Sequence, residues 1–171
     1  KPFEIVTVST SREPVTTMGG FRILPDRTLG EIDPKASSLL ILAGADMWDD
    51  AGGRPYTDLA RRFLDAKTPV AAICGATAGL ARAGLLDDRD HTSAAADYLV
   101  ATGYAGAAHY HDERAVIDGD LITAGPQSPV QFACAALRRL GLAPDEALAT
   151  YEAVMYRGDH SAYPALMAAA A

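Results

Sequence analysis

Residues 72–76 of this 171-residue chain read Ala72-Ile73-Cys74-Gly75-Ala76, which sets a thiol where an apolar strand meets the start of a helix. Small residues stand two before and two after the cysteine. A nucleophile on such a sharp turn holds strained dihedrals, and small neighbours let the strand and helix backbones approach. The helix start also presents unpaired N–H groups and a positive dipole end, which favour negative charge on the sulfur. The amide of Gly75, the residue after the nucleophile, can receive a developing oxyanion. The competing reading is an inert core thiol, since free cysteine is among the most buried residues. Cys134 fits that reading better, lying mid-helix among Phe132, Ala133, Ala135 and Leu137.

A thiolate nucleophile takes a base or an orienting partner. The four histidines are His91, His109, His111 and His160. His109 and His111 fall in Ala108-His109-Tyr110-His111-Asp112-Glu113, just before a hairpin, and period-two spacing puts both imidazoles on one side of an extended segment. The spacing leaves either one open as the partner, and leaves open a pair of surface histidines. His91 follows a charged turn and reads as structural, and His160 lies in a polar tail. The pair with Asp112 and Glu113 lacks a third positioned ligand and any HExxH-type motif, so no metal and no cofactor is expected.

The elements that must position Cys74 follow from periodicity. Phe3 to Val8 alternates as a strand. Val15-Thr16 and Phe21 to Leu24 form an extended pair bent at Gly19-Gly20. Thr28 to Asp33 is at most a short helix. Ser38 to Leu42 is a continuous apolar strand running into Ala43-Gly44-Ala45, as expected for a sheet buried on both faces. Tyr56, Leu59, Ala60, Phe63 and Leu64 have helical spacing over Arg54 to Ala66, and Lys67-Thr68-Pro69 precedes the strand Val70 to Ile73. A helix from Ala76 to Leu86, a charged turn Asp87 to Asp90 and a short helix Ala94 to Val100 follow. Asp118-Gly119 marks a hairpin between Val116-Ile117 and Leu121 to Ala124. Helices are expected over Pro129 to Leu140, closed by Gly141, over Pro144 to Tyr156, stopped by Gly158, and over Ala162 to Ala171. Strands alternating with helices predict a parallel sheet.

Bulk properties narrow the function classes. A content of 49% hydrophobic and 22% charged residues fits one domain over residues 1–171. The net charge of −7 opposes non-specific attraction to nucleic acid or anionic membrane, favouring small-molecule or protein partners. Two cysteines are too few for a disulfide framework, and no apolar run approaches the roughly 20 residues of a membrane span. A cytoplasmic protein with free thiols is the expectation.

At these residues the chain resembles the ThiJ/PfpI superfamily, whose fold is shared with class I glutamine amidotransferases. The resemblance rests on Leu39 to Leu42 leading into Ala43-Gly44-Ala45, on the elbow VAAICGATAGLARAGLL, on HTS at 91–93, on HY at 109–110 and on DGDLITAGPQSPVQFA at 118–133. It implies a flavodoxin-like three-layer αβα sandwich with a mostly parallel sheet, Cys74 as nucleophile and His109 rather than His111 as the nearby histidine. The family's Pro-Gly-Gly turn maps onto Ala43-Gly44-Ala45 and makes Ala45 the second oxyanion donor. Gly44, Trp48, His111 and Gly125 are further pocket candidates.

Two departures qualify the resemblance. Protease-like members carry histidine directly after the cysteine, where this chain has Gly75. Many members also place a carboxylic acid on a first strand-to-helix segment, whereas this chain starts at what resembles the family's second strand, so that strand, helix and acid are expected to be either lacking or replaced. The resemblance implies a cysteine-dependent enzyme for a small carbonyl, amide or isonitrile substrate, commonly a homodimer. The alternative is a redox-responsive protein whose Cys74 is oxidised without turnover.

Overall fold

The computed structural model describes residues 3–169. At the N-terminal end lie four two-residue strands, β1 (Val8–Ser9), β2 (Val15–Thr16), β3 (Arg22–Ile23) and β4 (Arg27–Thr28). β1 pairs in parallel with β4, and β2 pairs antiparallel with β3. The strand expected over Phe3 to Val8 is therefore reduced to its last residue plus Ser9. Alternation alone does not make a strand without a neighbour to bond, and Ile5 stands 89% exposed. The expected helix over Thr28 to Asp33 is a single 3-10 turn, Leu29–Glu31, closed by a capping box between Thr28 and Glu31.

The central sheet is built from β5 (Leu40–Leu42), β6 (Val70–Ile73), β7 (Ala115–Asp118) and β8 (Leu121–Ala124), in the order β5-β6-β8-β7. β5, β6 and β8 run parallel, while β7 returns antiparallel beside β8. Asp118 pairs with Leu121, so the two turn residues are Gly119-Asp120, one place later than the sequence signal suggests. Gly119 supplies the positive φ of +57° that this turn requires.

The pleat divides the sheet into two faces. Leu40, Leu42, Val70, Ala72 and Leu121 join one core with Leu59 and Phe63 of α1 (Arg54–Asp65) and Ala76 and Leu80 of α2 (Gly75–Arg82). A short helix, α3 (Ala96–Val100), packs against α2. Ala71 and Ile122 face the other way, onto Ala135 and Ala136 of α4 (Pro129–Arg139). Behind α4 lie α5 (Asp145–Met155) and α6 (Tyr163–Ala169). Ala170 and Ala171 of the last expected helix lie outside the described residues. The result is a flavodoxin-like αβα sandwich whose carboxyl strand ends carry the loops around Cys74.

Candidate active site

Cys74 is where β6 ends and α2 begins, with φ 61° and ψ −133°. A side chain at positive φ costs on the order of 1–3 kcal/mol, so surrounding bonds must hold it. Its N–H donates to the Ala124 carbonyl at 3.1 Å, extending the β6–β8 pairing by one residue. Its carbonyl accepts from the Thr77 N–H at 3.1 Å and from the Thr77 hydroxyl at 2.7 Å. Thr77 in turn meets the Ser93 hydroxyl at 2.7 Å. The elbow is thus pinned from the sheet side and from the helix side, and its thiol remains half-buried.

The HTS segment is a buried brace for this turn. Thr92 is fully buried: its N–H donates to the Thr123 hydroxyl at 2.9 Å and its hydroxyl to the Glu113 carbonyl at 2.8 Å. His91 is fully buried, with Nδ1 at 2.7 Å from the Arg89 carbonyl and Nε2 at 3.0 Å from the Tyr104 hydroxyl. These partners assign the proton to Nδ1, leaving Nε2 to accept from Tyr104. Burial, the largest effect, pushes the His91 pKa down, against the raising influence of the Arg89 carbonyl. His91 is a structural histidine edge-on to Tyr104 and Tyr110.

The absence of side chains at three glycines shapes the site. A Cβ on Gly44 would stand 2.8 Å from the Cys74 Cβ and 3.0 Å from its sulfur, so only glycine admits the thiol there. A Cβ on Gly53 or Gly79 would drive into the Trp48 ring, at 2.6 Å and 2.3 Å respectively. Trp48, a candidate for the pocket mouth, is instead 3% exposed and clamped between those glycines. Its indole N–H donates to the Ala43 carbonyl at 2.8 Å, which holds the Ala43-Gly44-Ala45 turn from beneath.

The cavity beside Cys74 measures about 210 Å³. Gly44, Ala45, Cys74 and Gly75 line it, as the sequence suggests, together with Met18, Asp46, Asp49, Ala94 and Tyr98, which sequence reasoning missed. Among the described residues, neither the Ala45 nor the Gly75 amide is matched with a protein acceptor. Tyr98 donates its hydroxyl proton to Asp49 Oδ1 at 3.0 Å. Burial first, then that bond, then the charges of Asp49 and Cys74 raise the Tyr98 pKa above its ordinary 10.0, so it stays protonated. Asp46 and Asp49 follow the Ala43-Gly44-Ala45 turn within a few residues, and that nearness was the available signal.

The structure gives the expected partner histidine other neighbours. His109 Nδ1 lies 3.4 Å and His111 Nε2 3.1 Å from Asp90 Oδ1, and neither ring lines the Cys74 cavity. The backbone sets their place: the His91 N–H donates to the His109 carbonyl and its carbonyl accepts from the His111 N–H, so the segment pairs alongside the brace. The bond from His111, then that from His109, draws the Asp90 pKa down. Gly125 likewise abuts Gln127 and the Ser93 carbonyl rather than the cavity. Among the described residues, no cluster of three or more His, Cys, Asp or Glu side chains is arranged to hold a metal. Among the described residues, no helix is long and apolar enough to cross a membrane.

A larger depression of about 440 Å³ lies against β7, α4 and α5 and includes Cys134. Cys134 is 4% exposed, its thiol 3.7 Å from the Leu148 carbonyl, and burial pushes its pKa up.

The fold is a three-layer αβα sandwich with a cysteine at positive φ on the turn from β6 into α2. The model of the DJ-1/PfpI family matches residues 1–139, and the chain belongs to that family. It is similar to the uncharacterized protease YoaZ of Bacillus subtilis, 38% identical over 152 residues, covering 87% of this chain and 72% of that protein. Among solved structures it is similar to a ThiJ/PfpI family protein from Bacillus anthracis. That match has 34% identity and a TM-score of 0.92 over 99% of this chain and 81% of the other. A DJ-1 superfamily protein from Agrobacterium tumefaciens is 37% identical with a TM-score of 0.79, over 87% of this chain and 80% of its own.

Proposed function

We propose that the chain is a cysteine-dependent enzyme acting on a small carbonyl, amide or isonitrile substrate, with Cys74 as nucleophile. One observation carries this reading: the thiol is held at φ 61° on the elbow, half-buried, beside a cavity lined by Ala45 and Gly75, whose amides have no acceptor among the described residues. For a carbonyl substrate, the sulfur forms a bond to carbon and the C=O π electrons move to oxygen. The Gly75 and Ala45 N–H groups receive that oxyanion. With an amide, collapse expels the amine after protonation, and water then cleaves the thioester. The cavity of about 210 Å³ favours small molecules over a polypeptide, although the YoaZ relative is called a protease. Gly75 in place of the histidine that follows the cysteine in protease-like members supports the same choice.

The test is a panel of aldehydes, amides and isonitriles offered to the unaltered protein and to Cys74→Ser. Turnover that disappears in the variant is expected. Absence of turnover combined with oxygen addition to Cys74 under mild peroxide would instead establish the redox-responsive alternative.

A further inference from the structure

The groups that line the Cys74 cavity are unevenly divided between donors and acceptors. Among the described residues, the backbone amides of the lining residues Ala45 and Gly75 have no protein acceptor and suit one substrate oxygen. The polar side chains are Asp46, Asp49 and Tyr98. Both aspartates are acceptors when ionised, and Tyr98 has committed its proton to Asp49, leaving its oxygen to accept. The remaining lining side chains, Met18 and Ala94, are apolar. Arg82 is the cation whose charge reaches Tyr98, but its guanidinium donates to the Trp48 carbonyl and does not line the cavity.

We infer that Asp46 and Asp49 set the substrate charge at Cys74: the site takes small carbonyl compounds that carry an ammonium or other N–H donor, and disfavours those that carry a carboxylate. This inference rests on the reading of Cys74 as a reacting thiol. A carbonyl oxygen between the two amides leaves the rest of a small molecule beside acceptors. An N–H donor there gains charge-assisted bonds, whereas a carboxylate meets two like charges and no free side-chain donor.

Thiol reagents of matched shape and opposite charge read this field directly. In a Cys134→Ala background, Cys74 is treated with methanethiosulfonates bearing ethylammonium or ethylsulfonate groups, and with the neutral methyl reagent. Rates are followed by peptide mass and divided by those for 2-mercaptoethanol. The degree of thiol ionisation cancels in the cation-to-anion ratio because the same thiol reacts with both. The expected ratio exceeds that of the reference thiol by on the order of 10-fold or more. In Asp46→Asn/Asp49→Asn it falls most of the way to the reference value. The double variant Asp112→Asn/Asp145→Asn makes the same change in net charge on residues away from this cavity, and it keeps the ratio. A ratio equal to the reference, or one that falls equally in both double variants, overturns the inference while Cys74 still reacts with the neutral reagent. If the neutral reagent modifies Cys74 only after unfolding in urea, the nucleophile reading itself fails, and this inference with it.

Discussion

Two cysteines of the same chain occupy opposite faces of one sheet and have opposite surroundings. Cys74 is held at positive φ where β6 becomes α2 and lines a cavity with Ala45, Gly75, Asp46 and Asp49. Cys134 sits mid-helix in α4, packed under α5, with its thiol on a carbonyl and its pKa raised by burial. The cost of straining a backbone is met at the first and avoided at the second. The two thiols thus differ in the backbone that presents them, in their burial and in the groups beside them.

The contrast breaks most severely if the support beneath the elbow is removed. Gly79→Ala would ordinarily gain a helix up to about 1 kcal/mol. Here the added Cβ would lie 2.3 Å from the Trp48 ring, which Gly53 blocks from behind, so a net loss of about 3 kcal/mol is expected. Urea unfolding followed by the fluorescence of Trp48, the single tryptophan, measures it, and a stabilised variant would refute the clamp. Gly44→Ala acts on the thiol itself, with its Cβ 2.8 Å from that of Cys74. Cys74 alkylation should slow by on the order of 100-fold as the sulfur is displaced, while Cys134 is untouched. Peptide mapping after timed alkylation reads both residues in one sample.

A smaller effect concerns pH. His91 is buried without charge, and its pKa lies below the ordinary 6.5. Between those two values the unfolded chain binds a proton that the folded chain does not. Its contribution to stability is therefore complete above 6.5 and is lost as pH falls toward the lower folded value. Melting temperature should decline from about pH 7 to 5, and His91→Gln should flatten that slope. An unchanged slope would mean that the brace behind Ser93 and Thr77 does not depend on a neutral imidazole. The smallest change is expected for Cys134→Ala, a loss of about 1 kcal/mol with the Cys74 alkylation rate unaltered.

Much of the scaffold was legible because its patterns are strong. The apolar runs of β5 and β6, the helical spacing of Tyr56 through Leu64 and the glycine stops Gly141 and Gly158 all lie where periodicity and turn chemistry put them. The elbow was legible because a thiol between small residues at a strand end is uncommon. The cavity wall was not. Met18 arrives from the β2–β3 hairpin and Tyr98 from α3, and neither approach follows from local sequence. Trp48 looked like a rim residue because nothing in its sequence neighbourhood shows that Gly53 and Gly79 leave room for its ring. His109 is expected beside Cys74; that its Nδ1 faces Asp90 and its segment pairs with His91 does not follow from local sequence.

The most direct test of the central claim is competition between the two thiols in the folded, unaltered protein. Limiting iodoacetamide is added near neutral pH, the reaction is quenched at intervals, and each cysteine peptide is quantified. A nucleophile presented on a strained elbow and a thiol sealed under α5 should differ in rate by on the order of 100-fold, with Cys74 faster. Equal rates, or modification of Cys74 only once the protein is unfolded, would contradict the account.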